Sequence, residues 1–232
     1  VNGPQTVLAL EFRGMGETTG DFGFLAQQPG SAPLVRIDPL VHHLTRPLEL
    51  QEQAELVLRD APAPVAMVLT YCGTAALGLR VAALADAPVV LVDPYLVTDR
   101  DVHRDFARLC VSAGIGPPEA GGFDLPRWEA LLLSSRDAMA ETHGGDELAY
   151  ELVDDLLARY RAWLRFLRAS LEAVGPVAAS RTVTVLTART AEHWAPLLPV
   201  CVEPRLHRVP GDRGILDTPE ARALLKDLVR SS

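Results

Sequence analysis

Cys72 has the neighbours that make a side chain a candidate for chemistry. It lies in Tyr71-Cys72-Gly73-Thr74-Ala75, between an apolar run at residues 65–70 (VAMVLT) and a small-residue stretch at 73–84 that reads as a helix. One polar side chain among small neighbours at a strand-to-helix corner is the shape of a nucleophile elbow, which presents that side chain at the top of a sheet. The sharp turn asks for small residues two positions before and after, filled here by Thr70 and Thr74 rather than glycine. A helix N-terminus lowers a thiol pKa, so Cys72 reads as a thiolate nucleophile, set against the commoner fate of cysteine as a small buried hydrophobe. Asp93 follows 21 residues later, closing the run 89–93 (VVLVD). A carboxylate there orients a third group toward a nucleophile; its plainer role is to cap the turn before Pro94. Cys110 and Cys201 lack such a context and are expected in the core.

These residues need a scaffold. Apolar runs at 7–12 (VLALEF), 34–38 (LVRID), 65–70 and 89–93 read as buried strands, and 45–59 and 73–84 as helices between them. Near-continuous apolar strands separated by helices predict an α/β fold, a mostly parallel sheet covered on both faces. Sites in such sheets lie at the C-terminal ends of the strands, where Cys72 and Asp93 both fall. Residues 99–113, 125–140 and 146–174 read as helices, the last with an apolar series Leu148, Leu152, Leu156, Tyr160, Trp163, Leu167 and Leu171. Strand patterns return at 182–187 (TVTVLT) and 204–209 (PRLHRV), and Thr218-Pro219-Glu220 opens a final helix to residue 230. The order predicts one domain over 1–232, with a helical insertion at about 97–180 acting as a lid.

Composition excludes several classes. With 48% hydrophobic and 22% charged residues in 232, the chain is an ordinary globular domain. A net charge of −8 argues against a nucleic-acid or anionic-membrane surface. No run approaches the ~18 apolar residues of a membrane span. The start lacks the basic-then-apolar pattern of an export signal. Three cysteines far apart argue against a disulfide framework and fit a reducing cytoplasm. The histidines are scattered and no Cys-x-x-Cys occurs, so no metal site is expected. Gly14 and Gly16 after the first strand lack the third glycine of a dinucleotide fingerprint, Thr19 standing in its place.

Four stretches, in order and spacing, carry a resemblance. They are Glu11-Phe12-Arg13-Gly14-Met15-Gly16, Tyr71-Cys72-Gly73-Thr74, Val92-Asp93-Pro94-Tyr95, and Val209-Pro210-Gly211-Asp212-Arg213-Gly214-Ile215-Leu216. The chain resembles the thioesterase family of the α/β-hydrolase superfamily that serves nonribosomal peptide and polyketide synthetases. The resemblance implies an α/β-hydrolase fold with a helical lid. It implies a cytoplasmic monomer in natural-product (antibiotic) biosynthesis, acting on acyl or peptidyl groups held on the phosphopantetheine of a carrier protein, with no cofactor of its own. Cys72 stands where that family more usually has serine, and Asp93 where a triad aspartate ends the strand after the elbow. The first stretch matches the oxyanion loop, so the backbone N–H groups of Gly73 and of Phe12 or Arg13 would hold the oxyanion, with Gly14 and Gly16 giving the loop freedom to turn.

The place of the catalytic histidine is taken by Arg213. Arginine stays protonated and cannot act as a base near neutral pH. His193 follows the 182–187 strand at the correct edge and is the best substitute. His42 and His43 follow the second strand at that edge, and His103 and His143 lie in the insertion. His207 falls within the final strand, up to ~20 Å below the edge at ~3.3 Å per residue. Without a base, hydrolysis of an acyl-enzyme is handicapped, whereas thiol–thioester exchange is not, since a thiolate attacks and a thiolate leaves. The Cys72/Arg213 combination thus favours exchange, with Arg213 stabilising the thiolate or pairing with Asp93, and is similar to the Cys-dependent aminoacyl shuttles of the superfamily. The alternatives are a degenerate member that binds a carrier or partner, and one repurposed for non-covalent catalysis such as proton transfer.

Overall fold

The computed structural model describes residues 5–13, 21–26, 32–116, 122–173, 181–209 and 214–231. Arg213, Gly14, Gly16 and Thr19 lie outside them. The six strands β1 (Thr6–Leu10), β2 (Leu34–Ile37), β3 (Val65–Tyr71), β4 (Val89–Val92), β5 (Val183–Thr187) and β6 (Arg205–Arg208) form one sheet in the order β2-β1-β3-β4-β5-β6, parallel throughout. β1, β4 and β5 are buried along their whole length, which is why β1 and β4 read as near-continuous apolar runs, while β5 buries two threonines among its apolar residues. β6, Arg-Leu-His-Arg at the sheet edge, is mostly exposed.

The chain leaves β1 outward to β2 and returns on the other side to β3. The order therefore reverses between β1 and β3, which makes the C-terminal ends of these two strands the topological switch point, where sheets of this kind place their sites. Both candidate stretches, Phe12-Arg13 and Cys72-Gly73, leave the sheet at this point.

Eight α-helices are described: α1 (Leu40–His43), α2 (Leu50–Arg59), α3 (Ala75–Ala85), α4 (Asp99–Ser112), α5 (Leu125–Ser134), α6 (Arg136–Thr142), α7 (Glu147–Glu172) and α8 (Pro219–Arg230). They divide with the chain into two compact units, one of residues 1–39, 50–96 and 173–232, the other of 40–49 and 97–172. In the first, Val7, Ala9, Met67, Leu69, Val90, Val92 and Leu186 share a buried cluster with Ala221, Leu225 and Val229 of α8. α3 packs on β3 and β4, with α2 against it. In the second, α1, α5 and α6 pack on α7, and Trp128 of α5 stacks on Phe106 of α4 at 4.2 Å.

Several expectations shift. The predicted strand 7–12 ends at Leu10, because the buried Glu11 turns away to accept the Phe22 N–H (2.9 Å) and to pair with Arg36 of β2. The helix expected from residue 45 starts at Leu50, since Pro47 disfavours helical backbone at the residue before it. The helix expected over 125–140 breaks at Ser135, whose hydroxyl caps the Leu132 carbonyl at 2.7 Å. In the first half of α7 the buried residues are Ala149, Val153 and Leu157, while Leu148 and Leu152 of the predicted series are exposed; in the second half Leu167 of that series is buried, along with Leu164 and Phe166. A spacing of four residues drifts about 40° per step around a helix with 3.6 residues per turn, so that series starts on the exposed side at Leu148 and winds onto the buried side by Leu167. Cys110 is buried as expected, but Cys201, in the turn before β6, is exposed.

Candidate active site

The elbow is built by small residues at close range. β3 ends at Tyr71, a short 3-10 turn covers Cys72–Thr74, and α3 begins at Ala75. Cys72 has φ +57°, a left-handed backbone that a non-glycine residue rarely adopts. Such strain persists only where the surroundings enforce it, and it gathers at functional sites. Here the enforcement is visible. The buried Thr74 hydroxyl accepts the Tyr71 N–H (3.1 Å) and faces the carbonyls of Tyr71 (2.9 Å) and Leu10 (3.1 Å), tying the corner to the end of β1.

Thr70 stands where such an elbow usually has glycine, and Gly78 supplies the missing room. A Cβ on Gly78 would lie 1.8 Å from Thr70 Cγ2, so only glycine lets α3 approach the strand. The glycine has moved from the strand to the helix face opposite it.

Asp93 immediately follows β4 and is also left-handed, with φ +46°. Its N–H extends the ladder to the Leu186 carbonyl at 2.7 Å. One carboxylate oxygen accepts the Thr187 hydroxyl (3.1 Å), and the other accepts Arg189 Nε (3.0 Å). Thr187 in turn accepts the Arg189 N–H (2.9 Å), and Arg208 of β6 holds the Arg189 carbonyl (2.9 Å). The Arg189 guanidinium lies over the Tyr95 ring, 5.5 Å from its centre. The Tyr95 hydroxyl in turn reaches Gly73, where a Cβ would stand only 3.3 Å from it.

Burial works against the charge of Arg189, but Asp93, by charge and by hydrogen bond, outweighs it, with further help from Cys72 and Tyr95, and the guanidinium pKa is raised. Such coupling is reciprocal, so the guanidinium favours an ionised Cys72 sulfur to the same degree.

Cys72, Gly73 and Asp93 thus belong to one constellation, together with Tyr95, Thr187 and Arg189, whose roles the sequence reading missed. The pairing that reading offered to Arg213 is made by Arg189. A signal was present: Arg189 stands two residues beyond β5, at the same sheet edge as Asp93.

The other candidates are dispersed. His193 is half exposed, its ring 2.9 Å from the Thr190 hydroxyl and 3.9 Å from Glu192. Its carbonyl accepts the Leu96 N–H at 2.8 Å, so its backbone, more than its ring, serves the site. Phe12 and Arg13 follow β1 at the switch point; Arg13 is exposed and reaches the Arg36 carbonyl at 3.4 Å. β6 stops at Arg208, so His207 stands one residue from the strand end rather than ~20 Å below it. Lateral distance removes it instead, since β6 lies three strands from β3, about 14 Å at the usual spacing. His43 is fully buried, edge-on to Phe166. His103 meets Trp128 edge-on and the Asp99 carbonyl at 2.9 Å, and His143 is exposed at the end of α6. Among the described residues no cluster of three metal-ligating side chains occurs, and no helix is long and apolar enough to cross a membrane.

No protein-family model matches the chain, and no curated protein matches it in sequence. Solved structures do match in shape. An α/β-hydrolase family protein from Desulfitobacterium hafniense superposes with a TM-score of 0.52 at 16% identity, over 98% of each chain. RedJ, a thioesterase of the prodiginine pathway in Streptomyces coelicolor, gives 0.51 at 16%, over 98% of this chain and 91% of its own. The Vlm2 thioesterase domain, seen with a dodecadepsipeptide, gives 0.51 at 15%, over 99% and 94%. With a parallel sheet, a strained elbow after β3 and an aspartate after β4, the chain has the α/β-hydrolase fold.

Proposed function

We propose that this protein is a thioesterase-like acyl-transfer enzyme. Cys72 takes an acyl or peptidyl group from the phosphopantetheine thioester of a carrier protein and passes it to a second acceptor, in nonribosomal peptide or polyketide biosynthesis. The observation that carries the reading is the left-handed Cys72 at a strand-to-helix corner on the topological switch point. The thioesterases among the solved structures of like shape support the substrate class.

In this reading the Cys72 thiolate attacks the thioester carbonyl carbon, the Gly73 N–H and the loop after β1 receive the oxyanion, and the carrier thiol departs. Asp93 has both oxygens engaged, by Thr187 and Arg189. A guanidinium cannot take a proton from water. Transfer to a second thiol is therefore favoured over hydrolysis, and the reaction calls for no cofactor.

Incubation with an acyl-loaded carrier protein, followed by intact mass measurement, should show one acyl group on the protein and none on Cys72→Ala. Rapid water-dependent release, with neither adduct nor transfer to a second thiol, would count against the reading. A second reading, a carrier-binding protein without covalent chemistry, draws on the orientation of His193 toward Thr190 and Glu192. It predicts carrier binding with no adduct.

A further inference from the structure

Exchange between thiols moves a proton as well as an acyl group, and the reading above assigns no residue to it. Tyr95 is placed for that task. Its backbone is fixed on both sides, by the Asp93 N–H on the Leu186 carbonyl (2.7 Å) and the Leu96 N–H on the His193 carbonyl (2.8 Å). Its ring lies beneath Arg189, 5.5 Å from the guanidinium carbon. Its hydroxyl lies 3.3 Å from where a Cβ on Gly73 would stand, and Gly73 is the residue that follows the nucleophile and whose N–H would receive the oxyanion.

Resting on the acyl-enzyme reading, we infer that the Tyr95 hydroxyl is the proton relay of the exchange, with Arg189 holding the charge it leaves behind. In the first half, the Cys72 thiolate bonds to the thioester carbon. As the carbon–sulfur bond to the donor breaks, the departing thiolate takes the Tyr95 proton. The resulting phenolate is held with its ring under the Arg189 guanidinium, which is already anchored on Asp93. In the second half the acceptor thiol returns a proton to Tyr95 and attacks the Cys72 thioester, and the Cys72 thiolate is restored. The net proton passes from acceptor thiol to donor thiol, and no external base or oxidant enters. Phenols and alkyl thiols have ordinary pKa values within about two units, the match that efficient proton transfer needs. The cation that makes arginine useless as a base makes it the fitting partner for a transient phenolate. The coupling of Arg189 to both Cys72 and Tyr95 agrees with this arrangement.

Leaving-group dependence tests it, because an aryl thiolate departs without a proton and an alkyl thiolate benefits from one. Acylation of Cys72 is followed by intact mass in the Cys201→Ser background, which removes the exposed cysteine. The donors are octanoyl N-acetylcysteamine thioester and octanoyl thiophenyl ester. Tyr95→Phe keeps the ring under Arg189. It should slow the alkyl donor about 100-fold, the usual worth of a general acid, and leave the aryl donor nearly unchanged. Equal loss with both donors would mean Tyr95 is only a packing element, and no loss with either would also overturn the relay. Absence of any adduct on the protein with Tyr95 intact would overturn the acyl-enzyme reading itself, and the relay with it.

Discussion

Arg189 serves two partners at once: its Nε holds Asp93, and its charge favours an ionised Cys72. A histidine in its place would carry protons; an arginine carries only charge and geometry. The charge of Arg189 acts on the sulfur with a fixed sign. Removing a nearby cation disfavours the thiolate, so the Cys72 pKa rises and less thiolate is present at neutral pH. Alkylation by iodoacetamide across pH, in the Cys201→Ser background, should show its midpoint moved upward in Arg189→Gln, with a rate at pH 7 lower by about tenfold. Arg189→Lys should recover part of this, since the charge remains while the planar stacking on Tyr95 is lost. An unmoved midpoint would mean that the guanidinium does not act on the sulfur. The position of Arg189 just beyond β5 marks the edge it lies on, but not the partner it reaches. Its importance comes from a side chain long enough to reach from the end of β5 to the residue after β4.

At the scale of elements, the elbow depends on how closely α3 lies against β3. The residues flanking Cys72 looked poorly suited to a sharp turn, with threonine where glycine is usual. Thr74 turned out to pin the corner through its hydroxyl, and Gly78 to accept the methyl of Thr70. In an unobstructed helix, glycine to alanine stabilises by ~1 kcal/mol. Here the new Cβ meets Thr70 Cγ2 at 1.8 Å, so Gly78→Ala should destabilise by ~1–3 kcal/mol in urea unfolding, the usual cost of overpacking. Thr70→Ala removes that methyl, leaving the 3.1 Å contact with Thr70 Cβ, and the double variant should recover most of the loss. Additive losses would show that the two residues do not share the contact. Cys72 alkylation should fall in Gly78→Ala and return in the double variant, because the corner is set by that approach.

For the molecule as a whole, residues 40–49 join 97–172 in one compact unit, although residues 50–96 lie between them in the chain. Arg165 of α7 makes this join. Its side chain is 6% exposed, its Nε donates to Glu129 at 2.6 Å, and its Nη1 donates to the carbonyls of His43 (2.8 Å) and Leu44 (3.2 Å). Arginine thus caps the C-terminal end of α1 from 121 residues away. Removing Arg165 leaves the His43 and Leu44 carbonyls without this donor and Glu129 with only Arg161, at 3.8 Å, at a cost of ~3 kcal/mol. For a chain of this size that corresponds to a fall in Tm of about 10 °C in Arg165→Met, measurable by calorimetry. A change under about 2 °C would show that α1 is held by its apolar residues alone.

The residue order alone marks β1, β3 and β4, because burial on both faces of a parallel sheet leaves near-continuous apolar runs. It also determined the edge at which Cys72 and Asp93 emerge, since strand ends and helix starts are local events. The insertion between β4 and β5 was legible for the same reason, as a long stretch of helical periodicity. Only the tertiary structure decided that residues 40–49 belong with that insertion, because four helical residues carry no period of their own. Only it showed which side of α7 is buried, that Gly78 does the work expected of a glycine at position 70, and that Arg189 and Tyr95 complete the site. Each of these rests on side chains far apart in the chain meeting within a few ångströms, and such meetings leave no mark in the order of residues.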